Sequence, residues 1–329
     1  MSTEPMQLPA TEFAAVQKFR FDADVEASDG VAGKLPWVIA DPAKRTLTFA
    51  GVKPGIFSPA FDVPIHLIAA ADDNRVTVSI PLDEIKKFGT RPTGAQLDRS
   101  TRVVTASGKS LGKLMQLTIN QQTGELRHLV VDRPLHGEAL VNAGLITAIT
   151  AKQITADLGT LQPSQLTPYR PDAALRDEIY SRIYDYSRMR PDLPGIEIHA
   201  IDGVVWLKGW VSSDVNRRII QNLLESIPSM AELHNELVAD NQLAAAVSLA
   251  LGHDPRTAAQ RIGVYPKLGE VHLRGIVQSP QVSAAATDIA RTVPSVRSVF
   301  NELRINPHFT NIPDLASVTN AEDLIPGGG

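Results

Sequence analysis

The stretch Asp202-Gly203-Val204-Val205-Trp206-Leu207-Lys208-Gly209-Trp210-Val211 returns 66 residues later as Leu268-Gly269-Glu270-Val271-His272-Leu273-Arg274-Gly275-Ile276-Val277. In both copies a turn glycine precedes period-two alternation, the pattern of the second strand of a hairpin, and a later glycine lets backbone pack closely. The same offset carries Pro228-Ser229-Met230 onto Pro294-Ser295-Val296 and Asn235-Glu236-Leu237 onto Asn301-Glu302-Leu303. One spacing held across strand, helix and strand marks two copies of a single α/β unit.

The chain before Tyr169 is duplicated as well, with a different unit. Gly33-Lys34-Leu35 maps onto Gly112-Lys113-Leu114 and Leu47 onto Leu126 at an offset of 79, which falls to 78 where Leu67-Ile68 meets Leu145-Ile146. Short strand-like runs broken by glycine turns, with no helix-period segment between them to cover a parallel sheet, predict small barrels. Phe88-Gly89-Thr90-Arg91-Pro92-Thr93-Gly94 reads as the linker between them. Tyr169-Arg170-Pro171-Asp172 is the main boundary, with Asp172 placed as the N-cap of a helix whose Leu175, Ile179, Ile183 and Tyr186 fall at helical spacing.

The C-terminal units resemble the BON domain, a helix and strand followed by an Asp-Gly-Val-Val-x-Leu-x-Gly strand, a helix and a last strand with Val-x-x-x-Asn-x-Leu. The stretches Ser28 to Leu35 and Ser107 to Leu114, with later Leu-Val-Val and a proline-led Leu-Asp-Glu-Ile, resemble the PRC-barrel family. The expected layout is multidomain. It has a flexible N-terminus over 1–16, PRC-barrel-like β-barrels over 17–88 and 98–168, α+β sandwiches of BON type over 172–240 and 241–306, and a flexible tail over 307–329. The BON resemblance implies phospholipid surfaces, envelope integrity and stress. The barrel resemblance implies ribosome maturation, photosynthetic reaction centres or cell division.

Composition narrows the classes. The 329 residues are 43% apolar and 21% charged with a net charge of −4, so nothing in the balance attracts nucleic acid or anionic lipid globally. Zero cysteines remove disulfides, thiol catalysis and cysteine metal sites. The start carries no basic and apolar leader, and no run reaches the roughly 18 apolar residues of a spanning helix, so a cytoplasmic protein, or one peripheral to a membrane, is expected. The Gly-x-x-Gly-Lys pieces lack the spacing and following helix of a phosphate loop and read as turns. No histidine pair has metal spacing, no Gly-x-Ser-x-Gly elbow occurs, and neither enzyme nor cofactor is predicted.

Strand parity singles out one surface. If Val205, Leu207 and Val211 face the helices, then Trp206, Lys208 and Trp210 face away, joined by Glu197, His199, Glu232, His234 and Glu236. In the second copy Glu270, His272 and Arg274 take the outward parity. Two exposed tryptophans around a lysine mark a docking surface; a neighbouring domain or symmetry mate covering that face, or insertion among lipid headgroups, would use the same residues. The expected function is a non-enzymatic binding or scaffold protein. Its partners are another protein or a second copy in a homo-oligomer, with a phospholipid surface or ribosomal assembly through the barrels as alternatives and direct nucleic-acid contact disfavoured.

Overall fold

The computed structural model describes residues 16–55, 57–89 and 93–308; the two expected loose termini lie almost wholly outside them. The first repeat runs β1 (Val16–Arg20), β2 (Asp24–Ala27), β3 (Gly30–Lys34), β4 (Trp37–Asp41), β5 (Thr46–Val52), β6 (Phe61–Pro64), β7 (Ile68–Ala71), β8 (Arg75–Val78) and a one-turn helix α1 (Leu82–Ile85). The second follows as β9 (Ala95–Asp98), β10 (Arg102–Thr105), β11 (Ser110–Asn120), β12 (Leu126–Arg133), β13 (Gly137–Asn142), β14 (Ile146–Ile149) and β15 (Gln153–Ala156).

Among the described residues the expected two small β-barrels do not close separately. Each gives its first strand to the other. β1 pairs antiparallel with β11, setting Phe19 opposite Leu117, while β9 pairs antiparallel with β4, setting Leu97 opposite Val38. Val38 and Leu117 are themselves equivalents 79 apart, so the exchange is reciprocal. Phe19 and Leu97 are fully buried, and one apolar core runs from Phe19 to Leu166 through both repeats. A 65 to 80-residue module buries too little surface for much independent stability, and sharing a core answers that shortage.

The repeats differ at one strand for a readable reason. β11 runs unbroken for 11 residues, whereas its counterpart is split into β3 and β4 at Pro36, which occupies the place of Met115 and has no N–H for a ladder. Gly33 and Gly112 hold φ of +134° and +139°, and a Cβ there would lie 2.1 Å from the Lys53 carbonyl oxygen and 2.3 Å from that of Asp132. The repeated Gly-Lys-Leu is therefore a crossing point of two backbones. It is not a phosphate loop.

The C-terminal half holds two α/β units, each with its own core. The first has α2 (Asp172–Asp185), β16 (Ile196–Ile201), β17 (Val204–Val211), α3 (Asp214–Leu224), β18 (Glu232–Asn235) and the short β19 (Val238–Ala239). The second has α4 (Asp240–His253), β20 (Ile262–Lys267), β21 (Glu270–Val277), α5 (Pro280–Thr292) and β22 (Ser298–Ile305). Leu175, Ile179 and Ile183 bury one stripe of α2, and Ser213 and Ser279 cap α3 and α5 through their hydroxyls. Asp172 is not an N-cap: Pro171 takes that place, and the Asp172 carboxylate instead accepts from the Asp202 backbone N–H at 2.9 Å. Asp240 does the same in the second unit, accepting from Leu268 and Gly269 at 2.7 and 3.1 Å.

Each unit joins what precedes it through the turn between its first two strands. At the first turn, Asp202 meets Lys18 of β1 at 2.8 Å; the same ammonium lies 2.6 Å from Asp172 and 3.6 Å from Asp73, and His128 reaches Asp202 at 3.4 Å. Lys18 is 3% exposed. At the second turn, Leu268 and Gly269 press on Gly195 and Trp210 of the first unit.

Candidate interaction face

β17 and β21 are central strands with helices on one side only, so alternate side chains leave the core on the other. The parity is as expected: Val205, Leu207, Val271 and Leu273 are fully buried on the helix side. Cross-strand register then places one row of rings over each open face. In the first unit His199, Trp206 and His234 stand opposite one another, and in the second Tyr265, His272 and Phe300 do. Trp206 stacks on His234 at 5.2 Å with planes 11° apart, and His272 on Phe300 at 4.9 Å and 15°. Parallel stacking of a ring on an imidazole orders both side chains in advance of any contact.

Beside each row sits an ion pair on the next outward position. Lys208 lies 3.4 Å from Glu236, and Arg274 donates to Glu302 at 2.7 Å while its guanidinium covers the Tyr265 ring. Hydrogen bonds from Arg274 and then His272 hold the Glu302 carboxyl below the usual range. Every imidazole has a carboxylate neighbour: His199 with Glu197 at 3.7 Å, His234 with Glu232 at 3.1 Å and His272 with Glu302 at 2.6 Å.

The structure places the residues of the expected surface differently from one another. Glu197 is exposed and His199, Trp206 and His234 are partly so, all on one face. Lys208 is not: it is 7% exposed, its ammonium beside Glu236. Trp210 is covered by the second unit. Its Nε1 donates to the Ser295 carbonyl at 2.8 Å, Arg297 stands 5.8 Å over its ring, and a Cβ on Gly269 would lie 2.5 Å from it. Tyr265 and Phe300, 54% and 46% exposed, belong to the face but were not singled out by parity. Moving His199 and His234 on by 66 lands on them, and that was the available signal.

Residues 171–241 and 239–307 match the BON domain. The chain carries two BON domains. Among curated proteins none matches the chain. Part of it is similar to solved structures of CdsD, a structural protein of the type III secretion system of Chlamydia trachomatis, at 14% identity and a TM-score of 0.33, covering 40% of this chain and 61% of that one. The C-terminal domain of CdsD gives 14% identity and 0.32, covering 37% and 63%. The chain thus spans about three-fifths of the length of those structures, and a likeness this distant carries no argument about function.

Away from the BON faces, two surface depressions hold polar side chains. One is lined by His253, Asp254, Arg256 and Asp288, the other by Arg217, Arg218, Gln221, Asn222 and Asn235. Their cations are engaged, Arg256 by Asp254 and Arg217 and Arg218 by Asp214. Among the described residues no three His, Cys, Asp or Glu gather as a metal site, and no helix is long and apolar enough to cross a membrane.

Proposed function

We propose that this chain is a non-enzymatic binding protein, a scaffold whose BON units present their open sheet faces to a macromolecular partner. The N-terminal repeats, PRC-barrel-like in their Gly-Lys-Leu crossings, form the platform that carries them. The observation that supports this is the ring row repeated at one sheet position in both BON units, prearranged by stacking and left partly exposed. Aromatic side chains held rigid at a surface supply contact area at low entropic cost. The test is a native pull-down with the wild-type chain beside His199→Ala/Trp206→Ala/His234→Ala. A partner held by the first and lost by the second, with both equally folded by circular dichroism, supports the reading. An identical partner set overturns it.

A second reading, a phospholipid surface, is favoured by the second BON face alone. There the partly exposed Tyr265 and Phe300 stand among Lys267, Arg274 and Arg304, a pairing suited to anionic headgroups. Flotation with anionic vesicles that Phe300→Ser abolishes would support it, and the absence of flotation would remove it.

A further inference from the structure

The two BON faces share their ring row and differ in charge. On the first, Glu197, Glu232 and Glu236 stand outward against Lys208, three carboxylates to one ammonium, an excess of two negative charges among these four groups. On the second, Lys267, Arg274 and Arg304 stand outward against Glu270 and Glu302, an excess of one positive charge. Alternation with the core residues Val264, Val271 and Leu303 fixes these orientations.

We infer that the partner of these faces is a second copy of this chain, the acidic face of one copy's first BON unit lying on the basic face of the other's second unit. The inference rests on the docking reading above and names its occupant. The contact is self-complementary, since a two-fold arrangement makes it twice, each copy giving both an acidic and a basic face. Rings furnish the buried area and charge sets the pairing: acidic on acidic and basic on basic are refused, because like charges brought together across an interface repel. Size is compatible. Three strands about 4.8 Å apart and about 20 Å long give roughly 280 Å² per face, so two such contacts bury on the order of 1,100 Å², near the lower bound of stable interfaces.

The wild-type chain should show, by light scattering at neutral pH and low salt, a mass rising with concentration toward twice 35.5 kDa, and falling back as salt screens the charged faces. Glu197→Lys/Glu232→Lys reverses the acidic face and Lys267→Glu/Arg304→Glu the basic one, all at exposed positions outside the cores. Each variant alone should self-associate at least about tenfold more weakly, a change of about 1.4 kcal/mol, and an equimolar mixture should recover the wild-type mass because the reversed faces again meet opposite charge. A wild-type chain that stays at 35.5 kDa, or variants that self-associate as well as wild type, or a mixture that recovers nothing, overturns the inference. A monomeric chain that still loses a pull-down partner on His199→Ala/Trp206→Ala/His234→Ala would leave the docking reading standing and remove only the second copy.

Discussion

At Asp202-Gly203 the first BON unit is fastened to the β half by an ammonium among carboxylates, whereas at Leu268-Gly269 the second is fastened to the first by an indole. The turns are equivalents 66 apart with nearly identical backbone, φ +48° and +80° in one and +48° and +81° in the other. One geometry thus serves as a plug twice, and the side chain at its first position chooses the chemistry of the socket. The ionic socket is exacting, since buried charge must be matched group by group. The indole socket asks for area and shape and for a single hydrogen bond, from Trp210 Nε1 to the Ser295 carbonyl.

The heaviest damage is therefore expected at Lys18. Three carboxylates converge on it from the first β repeat, from the start of α2 and from the turn. Lys18→Ala leaves the buried Asp202 and the half-buried Asp73 and Asp172 without their cation and should cost about 3–5 kcal/mol. Urea unfolding should show the loss, and the first BON unit should come away from the β half in limited proteolysis; a stability within error of wild type would contradict the ionic account. Trp210→Ala comes next. The indole is only partly buried, so about 2–3 kcal/mol is expected, below the ~3–5 of a fully buried aromatic. The signature is a second BON unit that unfolds in its own transition.

How much of this could be read from the chain differs along the same line. The hairpin, its Asp-Gly turn, the 66-residue offset and the inward parity of Leu207 and Leu273 are local, and alternation with turn chemistry displays them. What covers an outward residue is not local. Parity put Trp210 outside its own core but carried no information about Ser295 and Arg297 lying over it. Lys18 sits in a short strand whose partners come from three distant segments, and nothing at spacing two or 3.6 joins them. The strand exchange in the β half was hidden for the same reason, because Phe19 reads as a core residue whichever repeat it completes.

Titration separates the two junctions more finely. Burial opposes ionisation of Asp202, but His128, 3.4 Å away, and the Lys18 charge outweigh it and hold the carboxyl below its usual range. Its stabilisation is present above the unfolded value of about 3.9 and is lost as pH falls further. Burial likewise opposes the charge on Lys18, and Asp202, Asp172 and Asp73 together raise its pKa. That contribution is complete below about pH 10.4 and lost as pH rises beyond the raised value. Burial keeps Asp172 above its usual range despite Lys18, so its ionised form costs stability that acid returns, which softens the acid limb without reversing the alkaline one. Attachment of the first unit should therefore weaken above pH 10.5, and Lys18→Met should abolish that alkaline loss. The Trp210 junction should be flat over the same range, which melting curves across pH would decide.

The smallest expected effect falls at Arg297, whose guanidinium lies 5.8 Å over the Trp210 ring. At a partly solvated site such a contact contributes about 0.5–1 kcal/mol. Arg297→Ala should cost that much, and Arg297→Lys, which keeps the charge but loses the flat face, a fraction of it. The informative form is a double-mutant cycle with Trp210→Phe. If the indole acts as both hydrogen-bond donor to Ser295 and π-face for Arg297, the two losses should be less than additive, because the phenyl ring keeps part of the π-face and drops only the donor. Full additivity would mean that Arg297 reaches the second unit's attachment by some route other than Trp210, and the apolar socket would then be a hydrogen bond and a surface without a cationic lid.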